Sequence, residues 1–195
     1  MKRNIKTLTT VVITCMIVVI FSLGIVKAQT QLTSQSKVAI NGIGSIKVGM
    51  NVPEAALTVE NRLYVSYGGS EGCYYLRLDG KLKDVSFMVT KDETKSRQKY
   101  LTSDVIARVD IDNPKITTIS GAKIGDSEAR IKSLYGQQIK VEPHPYAYPD
   151  GHYLIFVPQD QADKNYRLIF ETDGKRVTRY RVGKLPEVNY IEGCA

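Results

Sequence analysis

Lys123-Ile124-Gly125-Asp126-Ser127-Glu128-Ala129-Arg130-Ile131-Lys132-Ser133-Leu134-Tyr135-Gly136 reads as one short helix with both of its ends marked. Asp126 or Ser127 is placed to cap it, because a side-chain oxygen there accepts from the free N–H groups of the first turn. Ile131, Leu134 and Tyr135 fall on one face, and Gly136 ends the run. An earlier stretch, Lys47-Val48-Gly49-Met50-Asn51-Val52-Pro53-Glu54-Ala55-Ala56-Leu57-Thr58-Val59, follows the same plan. There Asn51 is the candidate N-cap, and Pro53 sits in the first turn, where its missing N–H costs nothing. Gly49 and Gly125 hold the same place before each helix.

Strand patterns follow both helices. Gly72-Cys73-Tyr74-Tyr75-Leu76-Arg77-Leu78, Val85-Ser86-Phe87-Met88-Val89 and Val105-Ile106-Ala107-Arg108-Val109-Asp110-Ile111 follow the first. Gly151-His152-Tyr153-Leu154-Ile155-Phe156-Val157, Tyr166-Arg167-Leu168-Ile169-Phe170 and Val177-Thr178-Arg179-Tyr180-Arg181-Val182 follow the second. These runs are β-branched or aromatic, several alternate apolar with polar, and Asp79-Gly80 and Asp173-Gly174 mark turns between them. The shared order, helix then three strands, favours an internal duplication. The expected fold class is therefore α+β: two tandem units, each of one short helix and an antiparallel three-to-four-stranded sheet, over residues 38–118 and 119–195. The run Lys91-Asp92-Glu93-Thr94-Lys95-Ser96-Arg97-Gln98-Lys99 is expected as a charged surface loop with no counterpart in the second half.

The N-terminus carries an address. Met1-Lys2-Arg3-Asn4-Ile5-Lys6 is basic, residues 11–26 are apolar, and Val26-Lys27-Ala28 precedes a polar Gln29-Thr30-Gln31. A basic start, an apolar centre and a small residue at the cut define a secretory signal peptide over residues 1–28. The alternative is an uncleaved anchor, and the apolar run falls short of the roughly 20 residues that span a bilayer. Residues 29–37 are polar and unpatterned, the composition of a flexible tether. Cleavage removes Lys2, Arg3, Lys6 and Lys27 and no acid, so the formal charge falls from +7 to +3. That excess is too small to point to nucleic acid or an anionic membrane. The expectation is a periplasmic or secreted protein with no stable membrane anchor after cleavage.

Cleavage also discards Cys15 and leaves Cys73 and Cys194. Two cysteines in an oxidising compartment allow one intramolecular bridge, which here ties down the extreme C-terminus.

The glycine-led helix starts, Val48-Gly49-Met50-Asn51 and Ile124-Gly125-Asp126-Ser127, each followed by a meander, resemble the unit of the β-lactamase-inhibitor-protein-like and outer-membrane-assembly small-lipoprotein folds. The stretch from Ile106 through Gly125 also resembles a family of uncharacterised bacterial envelope proteins. The resemblance covers roughly residues 42–184 and implies a fold and, by analogy, binding to other proteins. It carries no inhibitory residue over to this chain. The lipid-anchoring cysteine of the lipoproteins has no counterpart here.

Chemistry has few places to reside. No Gly-rich phosphate loop and no His-Glu-x-x-His motif is present. The distinctive segment is Glu142-Pro143-His144-Pro145-Tyr146-Ala147-Tyr148-Pro149-Asp150-Gly151-His152-Tyr153. His144 and His152 with Glu142 or Asp150 form one reading, a divalent-metal site. A second is a proline-stiffened connection into the next strand. A third is a protein-contact surface built on Tyr146, Tyr148 and Tyr153, because tyrosine supplies contact area at low entropic cost. Asp110 and Asp112 are read as a turn after a strand, since the glycine and terminal glutamate of a calcium loop are missing. Arg179 and Arg181 are read as the solvated face of theirs.

The function expected from these observations is that of an exported, non-enzymatic protein-binding or accessory protein of the cell envelope, or an inhibitor, with another envelope or extracellular protein as partner and no cofactor. The alternatives are a metal-binding protein or metal-dependent hydrolase centred on His144 and His152, and a small-ligand or glycan binder using the exposed tyrosines.

Overall fold

Alternation along the strands decides where each side chain goes, because successive residues point to opposite faces of a sheet. The structure, a computed structural model, describes residues 32–33, 35–59, 62–70, 72–91 and 104–194. The signal peptide expected over 1–28 and most of the charged run expected as a loop over 91–99 lie outside the described residues. A small sheet of β1 (Val38–Ala39), β2 (Gly42–Ile43) and β3 (Ile46–Lys47) comes first, then α1 (Val52–Leu57). The meander β4 (Leu63–Ser70), β5 (Cys73–Leu78), β6 (Val85–Lys91) and β7 (Asp104–Ile111) follows. After α2 (Glu128–Tyr135) come β8 (Ile139–Pro143), β9 (His152–Phe156), β10 (Tyr166–Thr172) and β11 (Val177–Lys184).

All six strand segments expected from the sequence are strands, yet they do not build two tandem units. They join β4 and β8 in one eight-stranded antiparallel sheet, ordered β4-β5-β6-β7-β11-β10-β9-β8. The join is β7 against β11, with Val109 opposite Val182 and Ile111 opposite Tyr180. Both strands are buried along most of their length, so separating them would expose two unpaired edges and their apolar side chains. The expected α+β pair of helix-plus-sheet units is thereby replaced by a mostly β architecture. Among the described residues only α2 completes two turns. Ser127 caps it, accepting from the Arg130 N–H at 3.1 Å. The six residues of α1 are held by a capping box between Asn51 and Glu54.

The inner face of the sheet carries the main core. Leu76, Phe87, Val109, Val182, Phe170 and Leu154 lie there with Ile131 of α2, Ala55 of α1 and Ile43 and Ile46 of the small sheet. Leu32, within the segment expected to be a tether, is buried in this core beside Gly44. Lys37 donates to Thr117 at 2.6 Å, and Val38 bridges Thr118.

The outer face is closed differently. After β11 the chain turns through a short 3-10 helix, Glu187–Asn189, and recrosses the sheet to Cys194. Cys194 is bonded to Cys73 on β5, with Cα atoms 5.3 Å apart. We call residues 186–194 the strap. The disulfide expected from the cysteine count is therefore present. Gly193 permits the last approach: its φ is +72°, and a Cβ there would lie 2.6 Å from Tyr75 Oη. No helix among the described residues is long and apolar enough to cross a membrane.

Candidate functional site beneath the C-terminal strap

Strand alternation places Arg108 and Asp110 of β7, Arg181 of β11, Ile169 and Glu171 of β10 and Tyr153 of β9 on the outer face, where the strap covers them. Arg108, Asp110 and Arg181 are each under 5% exposed. Charges so buried demand partners, and each has them. Arg108 Nε donates to Asp110 at 2.9 Å, its Nη2 to Tyr75 Oη at 2.6 Å, and its Nη1 to the carbonyls of Glu187 and Tyr190 at 3.2 and 2.7 Å. Arg181 Nε donates to the Val188 carbonyl at 2.7 Å, and its Nη1 pairs with Glu171. Two guanidinium groups thus fasten the strap by its main chain. Val188, fully buried, packs on Tyr153 and Ile169 between these anchors. Burial also pushes the Tyr75 hydroxyl above its ordinary range, with the Asp110 charge adding to it.

The two histidines take separate carboxylates. His144 lies beside Glu171, Nε2 to Oε2 3.3 Å, and stacks on Tyr153 with ring centroids 4.4 Å apart. Its Nδ1 accepts from the Tyr146 N–H at 3.1 Å. Both ring nitrogens of His144 are thus occupied by protein partners. His152 Nδ1 is 2.8 Å from Glu128 on α2, in a network with Thr172. Among the described residues no three metal-ligating groups converge. Glu128 is held below its ordinary carboxylate range: burial opposes this, but hydrogen bonds from Thr172 and His152 outweigh it.

The three tyrosines also separate. Tyr146 and Tyr148 are 68% and 86% exposed on the loop between β8 and β9. Tyr146 Oη donates to Glu192 of the strap at 2.5 Å, which raises its pKa. Tyr153, in contrast, is 5% exposed and borders a pocket under the loop.

That pocket, about 440 Å³, is bounded by Lys140 and Glu142 of β8, Tyr153 and Ile155 of β9, Arg167 and Ile169 of β10, Arg181, and Asn189 and Ile191 of the strap. Three cations face one carboxylate around an aliphatic wall. Tyr153 Oη is buried and makes no hydrogen bond of ordinary geometry. Arg181 lies against its ring instead, with Cζ 5.3 Å from the centroid. Burial, and then the Glu171 charge, raise the Tyr153 pKa, so the hydroxyl keeps its proton and remains a donor. A second concavity of about 380 Å³ lies on the opposite side, between α2, β9 and β10, lined by Ile40, Ile119, Leu134, Tyr135 and Phe156.

The reading of Arg179 and Arg181 as a solvated pair holds for Arg179 only, which meets Asp112 at 3.2 Å with both side chains substantially exposed. Arg181 is buried because the strap covers it. Sequence reading missed Arg108, Glu171 and Arg181 as a network, and missed Lys140 and Arg167 as pocket residues. The signal available was Cys194: a bridge from the last residues to β5 obliges the tail to cross whatever lies between.

No family model matches the chain, and no curated protein matches it. Among solved structures it is similar to the crystal structure of the uncharacterized protein yfeY from Escherichia coli, at 12% identity and a TM-score of 0.44, over 76% of this chain and 99% of that one.

Proposed function

We propose that this chain is an exported, non-enzymatic binding protein of the cell envelope or extracellular space, and that it meets its partner with the strapped face of the sheet. The observation that carries the reading is the pocket beside the strap, where Lys140, Arg167 and Arg181 surround an aliphatic wall and a buried tyrosine hydroxyl that lacks an acceptor. Clefts with a few fixed polar groups on an apolar wall are where proteins hold ligands. The exposed rings of Tyr146 and Tyr148 stand on the adjoining loop and extend the contact area. Both histidines are engaged with carboxylates, an arrangement that favours a fixed scaffold over a metal centre. Export is supported by the signal-like residues 1–28 and by the Cys73–Cys194 bridge, which belongs in an oxidising compartment.

The test is affinity capture. The protein beginning at Gln29 is immobilised and exposed to extracts of the source organism's envelope and to its culture medium. Wild type is expected to retain at least one protein that the Tyr146→Ser/Tyr148→Ser variant loses. Capture of nothing above background, or of an identical set by the variant, refutes the reading. N-terminal sequencing of the native protein is expected to begin at Gln29.

A further inference from the structure

Resting on the reading of the strapped face as the binding surface, we infer that the pocket between β8, β9, β10 and the strap receives the free C-terminal carboxylate of a partner polypeptide whose last residues are apolar.

Charge fixes the sign of the ligand. Lys140, Arg167 and Arg181 face the lone Glu142. Arg181 is already neutralised by Glu171, but Arg167 is not: its Nη1 donates to the carbonyls of Lys164 and Tyr166 at 2.8 and 2.6 Å, and these acceptors are neutral. Those two bonds orient the guanidinium and leave its charge uncompensated, which is the condition for bidentate capture of a carboxylate. The Tyr153 hydroxyl at the pocket wall is a protonated donor that finds no acceptor in the protein. Arg181 reaches the hydroxyl oxygen but takes no proton from it, so the O–H is a buried donor that a ligand oxygen satisfies once the side chains over it part.

Shape and edge fix the rest. Ile155, Val157, Ile169 and Ile191 form the apolar lining, suited to branched aliphatic side chains next to the carboxylate. β8, whose Lys140 and Glu142 line the pocket, ends the sheet and among the described residues pairs with β9 alone. Its outer row of backbone groups is available to an extended peptide, which can add as a further strand while its terminus turns into the pocket.

The probes are N-acetyl-Ala-Leu-Ile with a free carboxylate, the same peptide as its amide, and octanoate, each titrated into the full mature protein by calorimetry and by methyl NMR. The peptide acid is expected to bind at least tenfold more tightly than the amide and to shift the Ile155 and Ile169 methyl resonances. Arg167→Gln and Tyr153→Phe are each expected to weaken it at least fivefold. Equal binding of acid and amide, no binding of the acid, or unchanged affinity in both variants overturns the inference. Octanoate binding as tightly as the peptide acid also overturns it, because the occupant is then a free acid. Loss of shifts at Ile155 and Ile169 with binding retained places the site elsewhere. None of these outcomes depends on the envelope capture experiment, so a wrong ligand class and a wrong general function give different results.

Discussion

Arg108 makes four hydrogen bonds from a position 4% exposed, one to Asp110, one to Tyr75 and two to strap carbonyls. Removing one member of such a buried pair leaves the other charged and unpaired, so Arg108→Ala is expected to lose roughly 3–5 kcal/mol. Replacing both members, as Arg108→Met with Asp110→Leu, is expected to recover most of that loss, because two apolar side chains leave no buried charge behind. Urea unfolding of the two variants checks the order, and a double variant weaker than the single one contradicts the account. Nothing in the local sequence announces this role. Arg108 alternates with Val109 and Asp110 with Ile111, a pattern that ordinarily describes one buried and one solvated face. The cover over the polar face comes from residues about eighty positions downstream, and no local window contains both.

Among the elements, α2 and the strands it touches illustrate what short-range pattern carries. Its cap, its face and its terminating glycine were legible in residues 123–136, and Ile131 enters the core as the spacing requires. Its tertiary attachment was not legible. Glu128 in the first turn reaches Thr172 at the end of β10 and His152 at the start of β9, at 2.6 and 2.8 Å. Because these bonds hold the folded Glu128 below its ordinary value of 4.5, the folded state favours the ionised form. The resulting stability is fully present above the unfolded value and is lost as pH falls through the lower folded value. Glu128→Gln is therefore expected to flatten the acid limb of the stability profile below about pH 4.5, leaving the other acidic groups to shape what remains; thermal melts from pH 7 to pH 3 measure it, and a slope identical to wild type defeats the argument. Strands β4 and β8 were missed for different reasons. β4 contains Gly68 and Gly69 and resembles a loop, whereas β8 alternates Ile139, Lys140, Val141 and Glu142 but stops at Pro143.

For the whole molecule, what decides the architecture is the pairing of β7 with β11, across a separation that pattern reading cannot rank. Each meander by itself looked like a complete unit because its turns and alternation were complete; the buried edge they share emerges only when both are present. The bridge between Cys73 and Cys194 then spans this joined sheet with a sequence separation of 121. In the chain-entropy description, a loop of this size restricts the unfolded chain by about 5 kcal/mol. Cys73→Ser with Cys194→Ser is expected to lower stability by up to that amount in urea, and the oxidised protein is expected to resist alkylation until reduced. Labelling of either cysteine without reductant rules out the bridge in solution. The same covalent loop makes the molecule mechanically lopsided. Pulled by its ends, the oxidised protein transmits force from residue 73 directly to residue 194, shielding every strand from β5 to β11, and only residues 32–73 of the described chain can pay out, roughly 150 Å at ~3.6 Å per residue. Reduced, the same stretch from 32 to 194 extends by roughly 580 Å. Single-molecule stretching with and without reductant reads that difference as a contour length, so the slack in the chain is set by the redox state around it.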